Sequence, residues 1–227
     1  RAVVFSSDRR GKYDLWLQRL DRGKPQGEPV QLTDHAGSAA CGRFSPDGRL
    51  IAYFRVEAGE REIWIVPADG GIPVRLTDRA GADVQPSFSP DGRRLVFVSD
   101  RGGGMNLWVA DLLDGPALGE ARQLTRGPGP DGSPTWSPDG HRLLFRRGSD
   151  LWLLTPDSGK VEQVTRGVAV ELAAWEPEGD AALVLGSWDG QPAEVRRVGL
   201  DPRVPEGAGD VVVPASIFGG NRILPIN

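Results

Sequence analysis

Two histidines, one cysteine and a recurring set of carboxylates are the side chains in this sequence able to attack a substrate, shuttle a proton or hold a metal. A serine nucleophile needs a histidine base beside it, and only His35 and His141 are available. His141 stands in a column that Arg49 and Arg93 fill elsewhere in the chain, and His35 stands in that of Arg79. Both read as solvent-facing replacements for arginine. No Gly-x-Ser-x-Gly elbow occurs, and no His/Cys spacing suits zinc. Cys41 is the sole cysteine, so no disulfide can form within the chain and the redox compartment stays open. Its place just before Phe44 suggests a small buried residue rather than a reactive thiol.

The carboxylates are more regular. Asp83, Asp131 and, one residue out of register, Glu171 recur near the start of equivalent segments, with Ala39 breaking the set. Such oxygens can hold a hard cation such as Ca²⁺ or attract an amine-bearing ligand. They can equally cap loops through backbone N–H groups. In the pairs Asp8-Arg9 and Asp100-Arg101, Asp is expected to cap its own turn and Arg to reach a neighbouring repeat. A second polar column, Asp14, Glu62, Asn106, Asp150 and Glu194, precedes a tryptophan column and points to a structural hydrogen bond. Trp188 and Asp189 break the pattern inside a Gly-containing loop, where an exposed Trp would serve as a partner-contact anchor.

These residues are positioned by a repeat. Phe44-Ser45-Pro46-Asp47-Gly48 returns as Phe88 to Gly92, as Trp136 to Gly140, and in decayed form as Trp175-Glu176-Pro177-Glu178-Gly179. Proline presets φ at the second turn position, Asp tolerates the third, and Gly takes the left-handed conformation that ends the turn. An apolar run follows, such as Leu95-Val96-Phe97-Val98, whose near-continuous hydrophobicity predicts a strand covered on both faces. Tryptophan then recurs at Trp16, Trp64, Trp108 and Trp152, which predicts packing between sheets. A shorter segment closes each unit at Leu32-Thr33, Leu76-Thr77, Leu124-Thr125 and Val164-Thr165. Three columns keep one register. The unit is a small antiparallel sheet that can bury both faces only by stacking on copies of itself.

The SPDG turn, the apolar strand, the Asp-Arg pairs and the Trp column resemble the TolB-type β-propeller repeat, a WD-like family, over essentially the whole chain. The resemblance implies an all-β propeller of five four-stranded blades, at about 1–33 plus 222–226, 40–78, 84–126, 132–166 and 171–214, forming one domain. In a propeller the first strands line the central channel, which would gather Asp83, Asp131 and Glu171 at one mouth of it. Arg1 to Phe5 aligns with Arg93 to Phe97, so the chain is expected to open at the second strand of a blade, with sequence upstream removed or missing. Taking Pro214 as a fourth-strand Thr equivalent puts Leu224 in the Phe/Trp column. Arg222 to Ile226 is therefore expected to supply the first strand of blade one, closing five blades in a monomer. A larger ring with its upstream part absent, and donation of the strand to a neighbouring subunit in an oligomer, remain open alternatives.

Bulk properties narrow the function classes. The net charge is −4 and basic residues are spread over every blade, so no nucleic-acid footprint is present. No apolar run is long enough to insert into a membrane. The expected function is non-enzymatic: a scaffold presenting loops and a channel mouth to a protein partner or small ligand. The alternatives are an accessory or sensor propeller of a larger peptidase or kinase, and, more remotely, a glycan-active five-bladed enzyme using Asp83 and Asp131 as acid and base. The family resemblance favours a bacterial source and a periplasmic or extracellular location.

Overall fold

Each Pro-Asp-Gly turn joins the first strand of a sheet to the second, and the rest of the described chain is built mainly of hairpins too. The computed structural model describes residues 1–78, 81–113, 117–127, 129–188 and 190–200, together with the backbone of 210–213. Among them there is no helix, and hence none long and apolar enough to cross a membrane.

The first sheet has β1 (Ala2–Ser7), β2 (Asp14–Asp21) and β3 (Lys24–Gln31) in that order. The second has β4 (Ser38–Phe44), β5 (Leu50–Glu57), β6 (Glu60–Pro67) and β7 (Val74–Arg75). The third joins β8 (Asp83–Phe88), β9 (Arg94–Ser99) and β10 (Asn106–Leu113), with the short β11 (Ala117–Leu118) and β12 (Arg122–Gln123) both against β10. The fourth comprises β13 (Asp131–Trp136), β14 (Leu143–Arg147), β15 (Asp150–Thr155) and β16 (Lys160–Gln163). The fifth comprises β17 (Ala169–Trp175), β18 (Ala181–Ser187), β19 (Glu194–Gly199) and β20 (Asp210–Val213). Every pairing within the sheets is antiparallel. The first sheet thus shows three strands, and the segment 222–226 expected to complete it lies outside the described residues.

The first strand of sheets two, three and four carries the same irregularity. Its register against the second strand shifts between Ala40 and Arg43, Val84 and Ser87, and Gly132 and Thr135. At the centre of each bulge a non-glycine residue takes positive φ: Cys41 at 56°, Gln85 at 53° and Ser133 at 51°. An extra residue held this way bends the strand and re-aims the side chains beside it.

The chain divides into two compact units, Arg1–Gln123 with the first three sheets and a second beginning at Leu124 with the other two. In the first, Leu15 and Leu17 pack with Ile51, Tyr53 and Val66, joining sheets one and two. Ile63 and Ile65 pack with Phe88, Leu95 and Phe97, joining sheets two and three. In the second, Leu144, Leu151 and Leu153 pack with Val170, Val184 and Trp188. Within each unit the sheets so cover one another's faces, the burial that a single small sheet cannot achieve alone.

Candidate functional site

The polar residues of the repeat build three recurring devices. In the turn, Ser45 Oγ donates to Asp47 at 2.6 Å, and Ser89 and Ser137 donate to Asp91 and Asp139 at 2.5 Å. The same carboxylate oxygen accepts the backbone N–H two residues on, at 3.0 Å in all three. These bonds favour the charged form. The serine hydroxyl, followed by that N–H, holds each Asp carboxyl below its ordinary value. In the fifth sheet the backbone turn survives, with the Gly179 N–H donating to the Glu176 carbonyl at 3.0 Å. The Glu176 side chain instead takes Arg197, at 2.8 Å.

The second device confirms the structural hydrogen bond read from the polar column. Thr33, Thr77 and Thr165 accept the N–H of Leu15, Ile63 and Leu151 at 2.9 Å, and donate to Asp14, Glu62 and Asp150. The last strand of each of these sheets is thereby fastened to the strand before it. Burial pushes the Glu62 carboxyl up, with Thr77 and Arg75 opposing. Asn106 occupies this column in the third sheet, and Thr125 donates to Asp131.

The third device is an arginine laid over the tryptophan of its own sheet. Arg9 lies 4.4 Å from the Trp16 ring, Arg55 4.8 Å from Trp64, Arg101 5.4 Å from Trp108 and Arg147 5.3 Å from Trp152. Arginine therefore serves its own blade, not the neighbouring one as its pairing with Asp suggested. Asp100 likewise accepts from the Ala82 N–H, at the entry to β8, rather than capping its own turn.

The recurring carboxylates are drawn into this third device. Asp83, fully buried, takes Arg101 at 2.5 Å. Asp131, also buried, takes Arg147 through Nε at 2.7 Å and Nη2 at 2.9 Å. Glu171 is exposed on β17. Among the described residues no three His, Cys, Asp or Glu side chains gather as metal ligands would.

Trp188 is a correction. It is 7% exposed and lies in the apolar cluster, with Arg196 stacked 4.7 Å from its ring. By strand register Trp188 stands where Arg101 stands in the third sheet, and Arg196 where Trp108 stands. The two partners have exchanged places, so the stack survives and the Trp is buried. Asp189 lies outside the described residues.

His141 is exposed, as its column implied, but His35 is half buried and stacked on Tyr53, with ring centroids 6.3 Å apart and planes 8° from parallel. Burial, then the Arg55 guanidinium, lowers its pKa. Neither ring nitrogen has an aligned hydrogen-bond partner, although the Gly37 backbone offsets part of the shift. The Tyr53 hydroxyl and Arg55 Nε beside it are buried without partners too. One signal for this group was legible in the sequence: Tyr53 interrupts the column Phe5, Phe97, Phe145, and Ala39 interrupts the Asp column. Cys41 is buried as expected, and burial raises its thiol pKa to about 11.

Known proteins share this arrangement. The model of the TolB beta propeller domain matches residues 1–118, and that of the dipeptidyl peptidase IV N-terminal region matches residues 104–174. The tricorn protease homolog 2 of Streptomyces coelicolor is 45% identical over 58 residues, which are 26% of this chain and 5% of that protein. TolB from Acinetobacter baumannii superposes with a TM-score of 0.72 at 20% identity, over 94% of this chain and 52% of its own. A TolB-like protein from Agrobacterium tumefaciens gives 0.69 at 23% identity, over 92% and 79%. This chain thus spans about half the length of the Acinetobacter protein and a small part of the Streptomyces one. With a family match over more than half its 227 residues and five sheets of blade type, the chain belongs to the TolB β-propeller family.

Proposed function

We propose that this propeller is a recognition module without chemistry of its own, presenting loops to a protein partner or a small ligand. The observation that carries the reading is the commitment of two recurring carboxylates and the cysteine to the frame. Asp83 and Asp131 neutralise Arg101 and Arg147, and the Cys41 thiol is kept protonated by burial. A general acid must come within hydrogen-bond reach of its substrate, and these two carboxylates are closed to solvent and bonded to their arginines. This also weighs against the glycan-active reading of the same two residues.

A second reading is favoured by the matches to the dipeptidyl peptidase IV N-terminal region and the tricorn protease homolog. Here the propeller is the accessory part of a larger peptidase, selecting what reaches a catalytic domain. It predicts that the full-length gene encodes a hydrolase domain alongside this one. A periplasmic or extracellular location goes with either reading, and cell fractionation checks it.

The first reading is tested with the purified chain and a peptide library. Fluorescence anisotropy follows binding and mass spectrometry follows the peptides. Retained, intact peptides are expected. Cleavage by the purified chain that disappears in Asp83→Asn would sink the proposal.

A further inference from the structure

We propose that the second sheet binds a small carboxylate through Arg55, Tyr53 and His35, at the register position where the third and fourth sheets carry an aspartate of their own. In the fourth sheet Asp131 sits directly across the strand pair from Arg147 and neutralises it. In the third, Asp83 pairs across from Ser99, and Arg101 two residues on reaches back to it. The same rung of the second sheet is Ala39 opposite Arg55. A methyl group stands where its neighbours place a charge.

The surrounding side chains differ in a matching way. Arg55 turns one Nη outward to the half-exposed Glu57, leaving Nε buried and without an acceptor. Tyr53 replaces the phenylalanine of the first, third and fourth sheets and brings in a hydroxyl that is fully buried and without a partner. Neither nitrogen of His35, stacked against that ring, has an aligned hydrogen bond, the Gly37 backbone being the polar group beside it. Buried donors left unmade are costly. Four such atoms lie on these three side chains, beside the rung where Ala39 faces Arg55.

A carboxylate has two oxygens and about four acceptor sites, enough to serve a guanidinium, a phenol and an imidazole together. The other charges facing the group are Lys12, Asp14, Asp34 and Glu57, of which Lys12 is held at 2.6 Å from Asp14 and 3.7 Å from Asp34. An added anion is therefore balanced when His35 takes up a proton, so binding and protonation assist each other. Ala39 and Tyr53 are closed to solvent, whereas the Arg55 side chain is 14% exposed and His35 half buried. The more exposed side of the group is that of His35 and Glu57. The occupant proposed is an ion the size of formate or acetate, or the carboxylate end of a larger molecule.

The chain has two histidines, so imidazole NMR reads the site directly, with exposed His141 as internal control. Acetate at constant ionic strength should move His35 towards the imidazolium form, more strongly as pH falls towards 6, and leave His141 in place. The melting temperature should rise saturably, by about 2–4 °C at roughly five times Kd, and chloride should not reproduce the rise. Ala39→Asp supplies the carboxylate from the chain itself and should melt higher than the parent with no acetate response. Tyr53→Phe, which restores the residue of the neighbouring sheets, should keep the fold and bind acetate severalfold more weakly. The proposal is overturned if His35 and His141 respond alike, if chloride matches acetate, or if either variant responds to acetate as the parent does.

Discussion

At the residue scale, position within the repeat decides what a polar side chain does. Ser89 is fully buried, and its hydroxyl both donates to Asp91 and accepts the Arg94 N–H at 2.9 Å. Ser89→Ala leaves that N–H and that carboxylate short of a partner, and should cost about 1–2 kcal/mol in denaturant unfolding. The turn aspartates also set a pH dependence. Their folded pKa values are lowered, by serine first. Their contribution is then complete above the unfolded value of about 3.9 and is lost as pH falls below it, through the folded value. Asp91→Asn should flatten that acid limb of the melting curve, and an unchanged limb would show that other carboxylates govern it. Cys41 is the contrasting case. With its pKa raised to about 11, roughly one thiol in a thousand ionises at pH 8. A thiol reagent should label it only on unfolding.

At the element scale the unit of construction is a hairpin carrying one arginine–tryptophan stack, and the fifth sheet shows what the hairpin requires. Trp188 and Arg196 have traded places between the loop and the third strand, yet the ring and the guanidinium still meet. The stack is indifferent to which strand supplies which partner, because a cation over an aromatic face is the same contact from either direction. Trp188→Ala should therefore cost about 3–5 kcal/mol of stability, which calorimetry measures, rather than weaken contact with a partner. Exchanging both residues, Trp188→Arg with Arg196→Trp, should recover much of the loss caused by either single exchange, a non-additivity that a double-mutant cycle reads out. The sequence put Arg196 in the Trp column and Trp188 in the loop where the Asp-Arg pair stands elsewhere. It could not show that the residue arriving there completed the same pair, since register across a hairpin is settled by pairing and not by spacing alone.

At the scale of the whole molecule, stability comes from faces that sheets cover for one another within each compact unit. Leu144→Ala, in the cluster shared by the fourth and fifth sheets, should destabilise by about 2–5 kcal/mol. Hydrogen exchange should then rise more in the strands after Leu124 than in those of residues 1–123. The repeat columns alone determined the all-β class, the SPDG turns, the structural role of the polar column and the family, because each is a local geometry that the same short motif builds every time. The threonine partner of that column came from the structure. Tertiary structure alone decided where charges end. Asp83 and Asp131 face arginines, Trp188 is covered, and the unpartnered donors around Ala39 come together. Those outcomes depend on which side chains are brought opposite one another by strands far apart in the chain, and desolvation then sets the cost of every polar group left without an answer.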